Sequence, residues 1–296
     1  NPYLYSFAII FTVAALILNY KFNFFYSLRY NRLKSISIFY YFIFYAIPYF
    51  TISFAQIFLQ KKYDRLSDYQ FWLRSIVFIF LIAFGSSAYF NNVIKLFSFA
   101  RNEYRYMWRI FTEVKKSIVC LIPLIIFKRF NDRSMNNLYG LTFKNFDFKP
   151  YLLLLLIVLP LIIGASFNSE FLNTYPVFKS WKFSTAFSLT KTRMSVIFET
   201  IYLLDFVIVE MLFRGALIIG MISIIGKDSV LPMTVTYVFL HFGKPLGEAI
   251  SSAFGGYILG IIALNTLSIM GGCFLHIGVA FLMNICAHIQ YLFKFK

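Results

Sequence analysis

Polar connections divide this chain into apolar runs near 3–19, 37–59, 73–90, 150–167, 194–213, 229–242, 249–265 and 268–288. A helix needs about 20 consecutive apolar residues to cross the hydrocarbon core. The runs therefore predict an all-α, polytopic transmembrane helical bundle of about eight helices. Composition agrees: 60% of the chain is hydrophobic and only 14% charged, against about 45–50% and about 25% in soluble domains. Residues 3–19 read as a first span or signal anchor, with no cleavable signal pattern.

The net charge of +16 is scattered between the spans. That pattern speaks for anionic lipid headgroups and a positive-inside bias, not for nucleic acid. The loop at 20–36 carries Lys21, Arg29, Arg32 and Lys34, which favours a cytoplasmic first loop; the loop at 60–72, with Lys61, Lys62 and Arg65, is also basic, so alternation does not fix the orientation. The 39 Phe and 21 Tyr suit interfacial belts and lipid-facing surface. SIVCLIPLIIF (117–127) is too short to cross alone: it is either re-entrant or the end of a tilted helix reaching back through YRYMWRIFTEV. The mixed aromatic and basic stretch at 97–116 predicts an interfacial amphipathic helix. Few polar groups fall within the apolar runs of 1–127, an N-terminal membrane and interfacial region; 128–296 reads as the membrane core, with the chemistry concentrated in 194–288.

In YLLDFVIVEMLFRGALIIG (202–220), Glu210 and Arg214 stand one helical turn apart at membrane depth. A charge there costs at least about 2.5–3.5 kcal/mol on insertion scales and usually faces a partner or a polar cavity. A single helix over Met194–Ile219 would place both on one face. Asp205 would then lie on another face, and Glu199 lower on the same one; both are candidates for the rim or for interhelical hydrogen bonds. Two of the three histidines, His241 and His276, also fall in apolar segments, whereas His288 sits near a helix end, where a cation is ordinary. Pro245 ends one helix near His241 and starts another, leaving Lys244 between them. Glu248 then occupies a first helical turn, where the dipole favours it, or lines a cavity beside His241.

A carboxylate beside an imidazole can act as general base toward water, a second imidazole can stabilise an oxyanion, and an arginine can hold the carboxylate in place. No G-x-S-x-G, Cys/His or H-E-x-x-H signature occurs. Glu210, His241 and His276 are also a donor set for a divalent metal, so metal dependence stays open at this point. Cys120, Cys273 and Cys286 lack metal spacing and read as small apolar residues. A salt bridge that merely pins helices, and a small proton-coupled carrier, are the competing readings; the inverted repeat that a carrier would show is not visible.

The order VEMLFRG, YVFLH and LHIGVA resembles the CPBP family of CAAX proteases and bacteriocin-processing enzymes, whose pattern is E-E-x-x-x-R, F-x-x-x-H and H-x-x-x-N/D on separate helices. The likeness covers about 194–288, and LYGLTFKNFDFKPY (138–151) looks like the opening of the family core. It implies a membrane-embedded conical cavity and a glutamic-type endopeptidase. Glu210 would be the base or its nearest substitute, held by Arg214, while His241 assists and His276 stabilises the oxyanion. Val209 replaces the first Glu, Ala280 the Asn/Asp, and Tyr237 the usual Phe. The first two departures give the single-Glu bacterial pattern, in which Lys244, Glu248 and Asn284 supplement the site alongside Asp205, or a catalytically silent scaffold, immunity factor or complex subunit. The implied substrate is a membrane-anchored, lipidated or small secreted peptide reached from the lipid, and the implied location is the bacterial inner membrane.

Overall fold

In the computed structural model, which describes residues 1–26, 37–144 and 146–294, the chain is all-helical, with no strand among the described residues. The long helices are α1 (Pro2–Phe22), α2 (Ser37–Gln60), α3 (Tyr69–Ser86), α4 (Arg101–Asn131), α5 (Lys149–Ala165), α6 (Lys191–Glu210), α7 (Val230–Leu240), α8 (Leu246–Thr266) and α9 (Met270–Lys294). Local chemistry sets several starts. Asn1, Asp68 and Thr190 cap α1, α3 and α6 with side-chain oxygens that accept backbone N–H bonds. Pro150 opens α5, and Pro245 precedes α8. Arg29, Arg32 and Lys34, which carry the orientation argument, lie outside the described residues.

Six of the described helical segments are long and apolar enough to cross a membrane, so this is a multi-pass membrane protein. The expected count of eight is approximate for two reasons. Helix α5 has 17 residues. Helix α7 has only 11, and Val230 through Phe239 are all buried, so it is apolar on every side because protein surrounds it. The run expected at 73–90 is shifted to Tyr69–Ser86, after which Tyr89–Leu96 forms a 3₁₀ helix. SIVCLIPLIIF is the second half of the 31-residue α4 and extends back through YRYMWRIFTEV as one continuous helix. The same helix absorbs most of the stretch expected to form a separate interfacial element.

Neighbouring helices pack in the order α5, α9, α6, α4, α3, α2, α7, α8, with only weak contact between α8 and α9. The main apolar core takes residues from both sides of position 127, including Phe71, Phe78, Phe213 and Val238. Leu153, Leu156, Ile157 and Leu161 of α5 point outward, as a lipid-facing surface does. Two smaller clusters seat the connection at 175–186. One joins Phe178 to Tyr106 and Phe198, the other Tyr175 to Ile162 and Phe171.

The expected single helix from Met194 to Ile219 is broken. Helix α6 stops at Glu210, a π-helical turn covers Met211–Ala216, and 3₁₀ turns follow at Ile219–Met221 and Gly226–Ser229. At Gly215 a β-carbon would come within 2.8 Å of the Tyr139 carbonyl, so only glycine admits the loop before α5 at this point. Tyr139 is itself fixed: its hydroxyl donates to Asp132, which also pairs with Arg74 at 2.6 Å. Single π turns inside helices occur often at functional sites, and this one carries Arg214.

Candidate functional site

Glu210 and Arg214 are both fully buried. The π turn brings Arg214 Nη1 to within 2.8 Å of Glu210 Oε1. The same oxygen accepts from His276 Nδ1 at 2.9 Å, across the contact between α6 and α9. Glu210 Oε2 has no hydrogen-bond partner among the described residues. It lies against Gly272 on α9, where any β-carbon would overlap the carboxylate. The absence of a side chain at Gly272 thus lets α9 close over the ion pair.

Arg214 makes a single hydrogen bond to Glu210, through Nη1. Its guanidinium stacks on Tyr237, with Cζ 4.2 Å from the ring centroid. Tyr237 is the residue that sequence reasoning passed over. Its hydroxyl lies 3.3 Å from His276 Nε2, and its carbonyl oxygen lies 2.9 Å from His241 Nδ1. The ring is edge-on to His241, with centroids 4.6 Å apart. A signal was present: Tyr237 precedes His241 by one helical turn.

These partners assign the imidazole tautomers. A carbonyl oxygen only accepts, so His241 carries its proton on Nδ1 and keeps a lone pair on Nε2. A carboxylate that already accepts from Arg214 also accepts a hydrogen bond from His276 Nδ1–H, so in the neutral imidazole His276 Nε2 accepts from the Tyr237 hydroxyl.

A cavity of about 1990 Å³ opens beside this group. Its wall includes Arg214, Tyr237, His241 and His276. Glu210 is not part of that wall; it reaches the cavity only through His276 and Arg214. Both imidazoles thus stand on the cavity wall, and the Glu210 carboxylate lies behind it. Val209 and Ala280 both line the cavity as well.

The supporting residues separate into distinct groups. Lys244 and Glu248 lie on the wall near His241, 3.6 Å apart, with Glu248 in the first turn of α8. Tyr175 joins them: its hydroxyl donates to Glu248 at 2.7 Å and accepts from Lys244 at 3.1 Å. Burial and then the Glu248 carboxylate push the Tyr175 phenol well up, which keeps it a donor. Asp205 also lines the cavity but is held by α4, through an ion pair with Lys116 and a 3.1 Å bond from Ser117. Asn284 is off the wall. It donates to Glu199 at 2.7 and 3.0 Å and accepts from the Val177 backbone at 3.0 Å, so it fastens the 175–186 connection to α6 and α9. The placement of Glu199 in an interhelical hydrogen bond is as expected. His288 stands apart, beside Trp181 near the end of α9.

Cys120 and Cys273 are buried and Cys286 is half-buried. Among the described residues, no group of three or more His, Cys, Asp or Glu side chains is placed to hold a metal ion; Glu210, His241 and His276 do not form the donor set considered above.

No family model, no curated protein and no solved structure matches this chain. Its fold and site therefore define a class by their own geometry. It is a multi-pass helical membrane protein in which a buried Glu–Arg pair is wired through His276 and Tyr237 to a large cavity.

Proposed function

We propose that this chain is an intramembrane endopeptidase of the CPBP kind, acting on a membrane-anchored, lipidated or small secreted peptide, in a bacterial inner membrane. The observation that supports this reading best is the orientation of His276, a cavity-wall imidazole, by the buried Glu210 carboxylate. A buried carboxylate behind an imidazole fixes its tautomer and stabilises the imidazolium formed when it takes a proton. Glu210 is thus better placed to position His276 than to touch water, because Oε1 already accepts two bonds and Oε2 is packed against Gly272. His241, with its lone pair on Nε2, is the second proton acceptor at the wall.

The test compares the membrane and secreted peptides of the native host producing wild type, Glu210→Gln or His276→Gln. Loss of a general base, or of the carboxylate that orients it, typically slows catalysis about 10²–10⁴-fold, so uncleaved precursors should accumulate in both variants at unchanged protein levels. Identical peptide pools from well-expressed variants would end the peptidase reading.

A catalytically silent scaffold is the second reading, and it too has an observation behind it. Val209 and Ala280 present apolar surface to the cavity where the family pattern has a carboxylate and an amide or acid. A scaffold that binds a membrane partner through this groove would tolerate Glu210→Gln with little change in partner binding.

A further inference from the structure

The buried carboxylate does not reach the cavity wall, yet a chain of hydrogen bonds runs from it to the hydroxyl of Tyr237, a residue of that wall. Glu210 Oε1 accepts from His276 Nδ1 at 2.9 Å, and His276 Nε2 stands 3.3 Å from the Tyr237 hydroxyl. Tyr237 itself lines the cavity, and its ring is held from one side by the Arg214 guanidinium and from another by Phe213.

We infer that Tyr237 is the proton-relay residue of this site, passing a proton between cavity water and His276. The inference rests on the hydrolase reading above and assigns its chemistry to a residue which the family pattern does not supply. Water gives a proton to the Tyr237 oxygen while Tyr237 gives its own to His276 Nε2. The hydroxide so formed attacks the peptide carbonyl carbon. The imidazolium is stabilised by Glu210 on its other nitrogen. When the C–N bond breaks, the proton returns from His276 through Tyr237 to the leaving amine. One water is consumed, and both side chains end in their starting protonation states.

Three features of the site favour Tyr237 for this role. The hydroxyl is the group that stands on His276 Nε2, the nitrogen left without a proton. The ring is clamped, which fixes the hydroxyl position; pre-positioned groups of this kind contribute most to proton transfer. The Arg214 charge lies over the ring face, where it stabilises negative charge developing on the phenol oxygen during transfer.

Tyr237→Phe is the discriminating variant, because it removes only the hydroxyl. The ring under Arg214 and the backbone carbonyl that holds His241 both persist. The chain has only three histidines, so ¹⁵N-histidine NMR of the detergent-solubilised protein can follow each one over a pH titration. In the relay, Tyr237→Phe moves the His276 Nε2 resonance to that of an unbonded nitrogen and shifts its titration. The His241 signal stays fixed, which also reports that the site is folded. An unmoved His276 signal and titration would overturn the relay. The second readout is the host peptide pool. The relay expects precursor accumulation in Tyr237→Phe, with cleavage slowed about 10²–10⁴-fold; full cleavage by Tyr237→Phe would show that water reaches His276 directly and also overturn the relay. If wild type, His276→Gln and Tyr237→Phe give identical pools, the peptidase reading falls, and the NMR titration alone decides whether Tyr237 controls the proton on His276.

Discussion

Replacing Gly272 with alanine tests the architecture of the site through a single methyl group. In most helices the change is favourable by about 1 kcal/mol, because alanine restricts the unfolded backbone. At Gly272 the new β-carbon would lie on Glu210 Oε2 and only 2.8 Å from Glu210 Cδ. The end of a glutamate normally swings aside at little cost. This one is pinned between Arg214 and His276 at 2.8 and 2.9 Å and is fully buried. If the carboxylate stays, overpacking costs about 1–3 kcal/mol. If it moves, Arg214 loses the carboxylate that pairs with its charge, a break that costs about 3–5 kcal/mol in buried pairs. After the helix-propensity gain, the net loss is about 0–2 kcal/mol if the carboxylate stays and about 2–4 kcal/mol if it moves. The control is Gly164→Ala on α5, where a β-carbon meets nothing within 4 Å, and which should be neutral or stabilised by up to about 1 kcal/mol. Thermal unfolding in mild detergent, followed by a thiol-reactive dye, suits the measurement because Cys120 and Cys273 are buried until the bundle opens. Equal stability of the two variants would refute the reasoning that α9 packs directly over the ion pair.

Arg214→Lys preserves a charge and the one hydrogen bond that Arg214 makes to Glu210, but not the stack on Tyr237. The expected outcome is normal membrane insertion with a loss of about 0.5–2 kcal/mol in thermal unfolding and weakened peptide processing; wild-type behaviour in both assays would show that the stack is idle. Asp132→Asn keeps an acceptor but loses the charge that Arg74 and Tyr139 share. It should destabilise by about 1–3 kcal/mol and raise hydrogen exchange across 211–221, since Tyr139 packs on Gly215 and Gly220; unchanged exchange there would detach this network from the π turn.

Much of the architecture can be read from the residues because lipid imposes a crude rule. Long apolar runs become helices, and rare polar groups within them must find one another. Glu210, Arg214 and His276 meet as their isolation in apolar sequence suggests. The junction at Pro245, with Glu248 in the first turn beyond it, also follows from backbone chemistry. Helix α7, expected as a span of its own, is an 11-residue part of the apolar stretch Lys191–Leu240, and a helix buried in protein and a helix buried in lipid have the same apolar surface.

What the sequence determined by itself is thus the class, an all-helical membrane bundle, together with the identity of the charged and imidazole groups held in its interior. Tertiary structure decided what each of them does. The π turn at Met211–Ala216 and the bare backbone of Gly272 draw Glu210 behind the cavity wall, while the same packing sets the Tyr237 hydroxyl against His276 and moves Asn284 to a fastening role. Helical spacing specifies which face of one helix a residue occupies. The direction of a hydrogen bond between helices depends on how closely their axes approach, and that distance is set by side chains far apart in the chain.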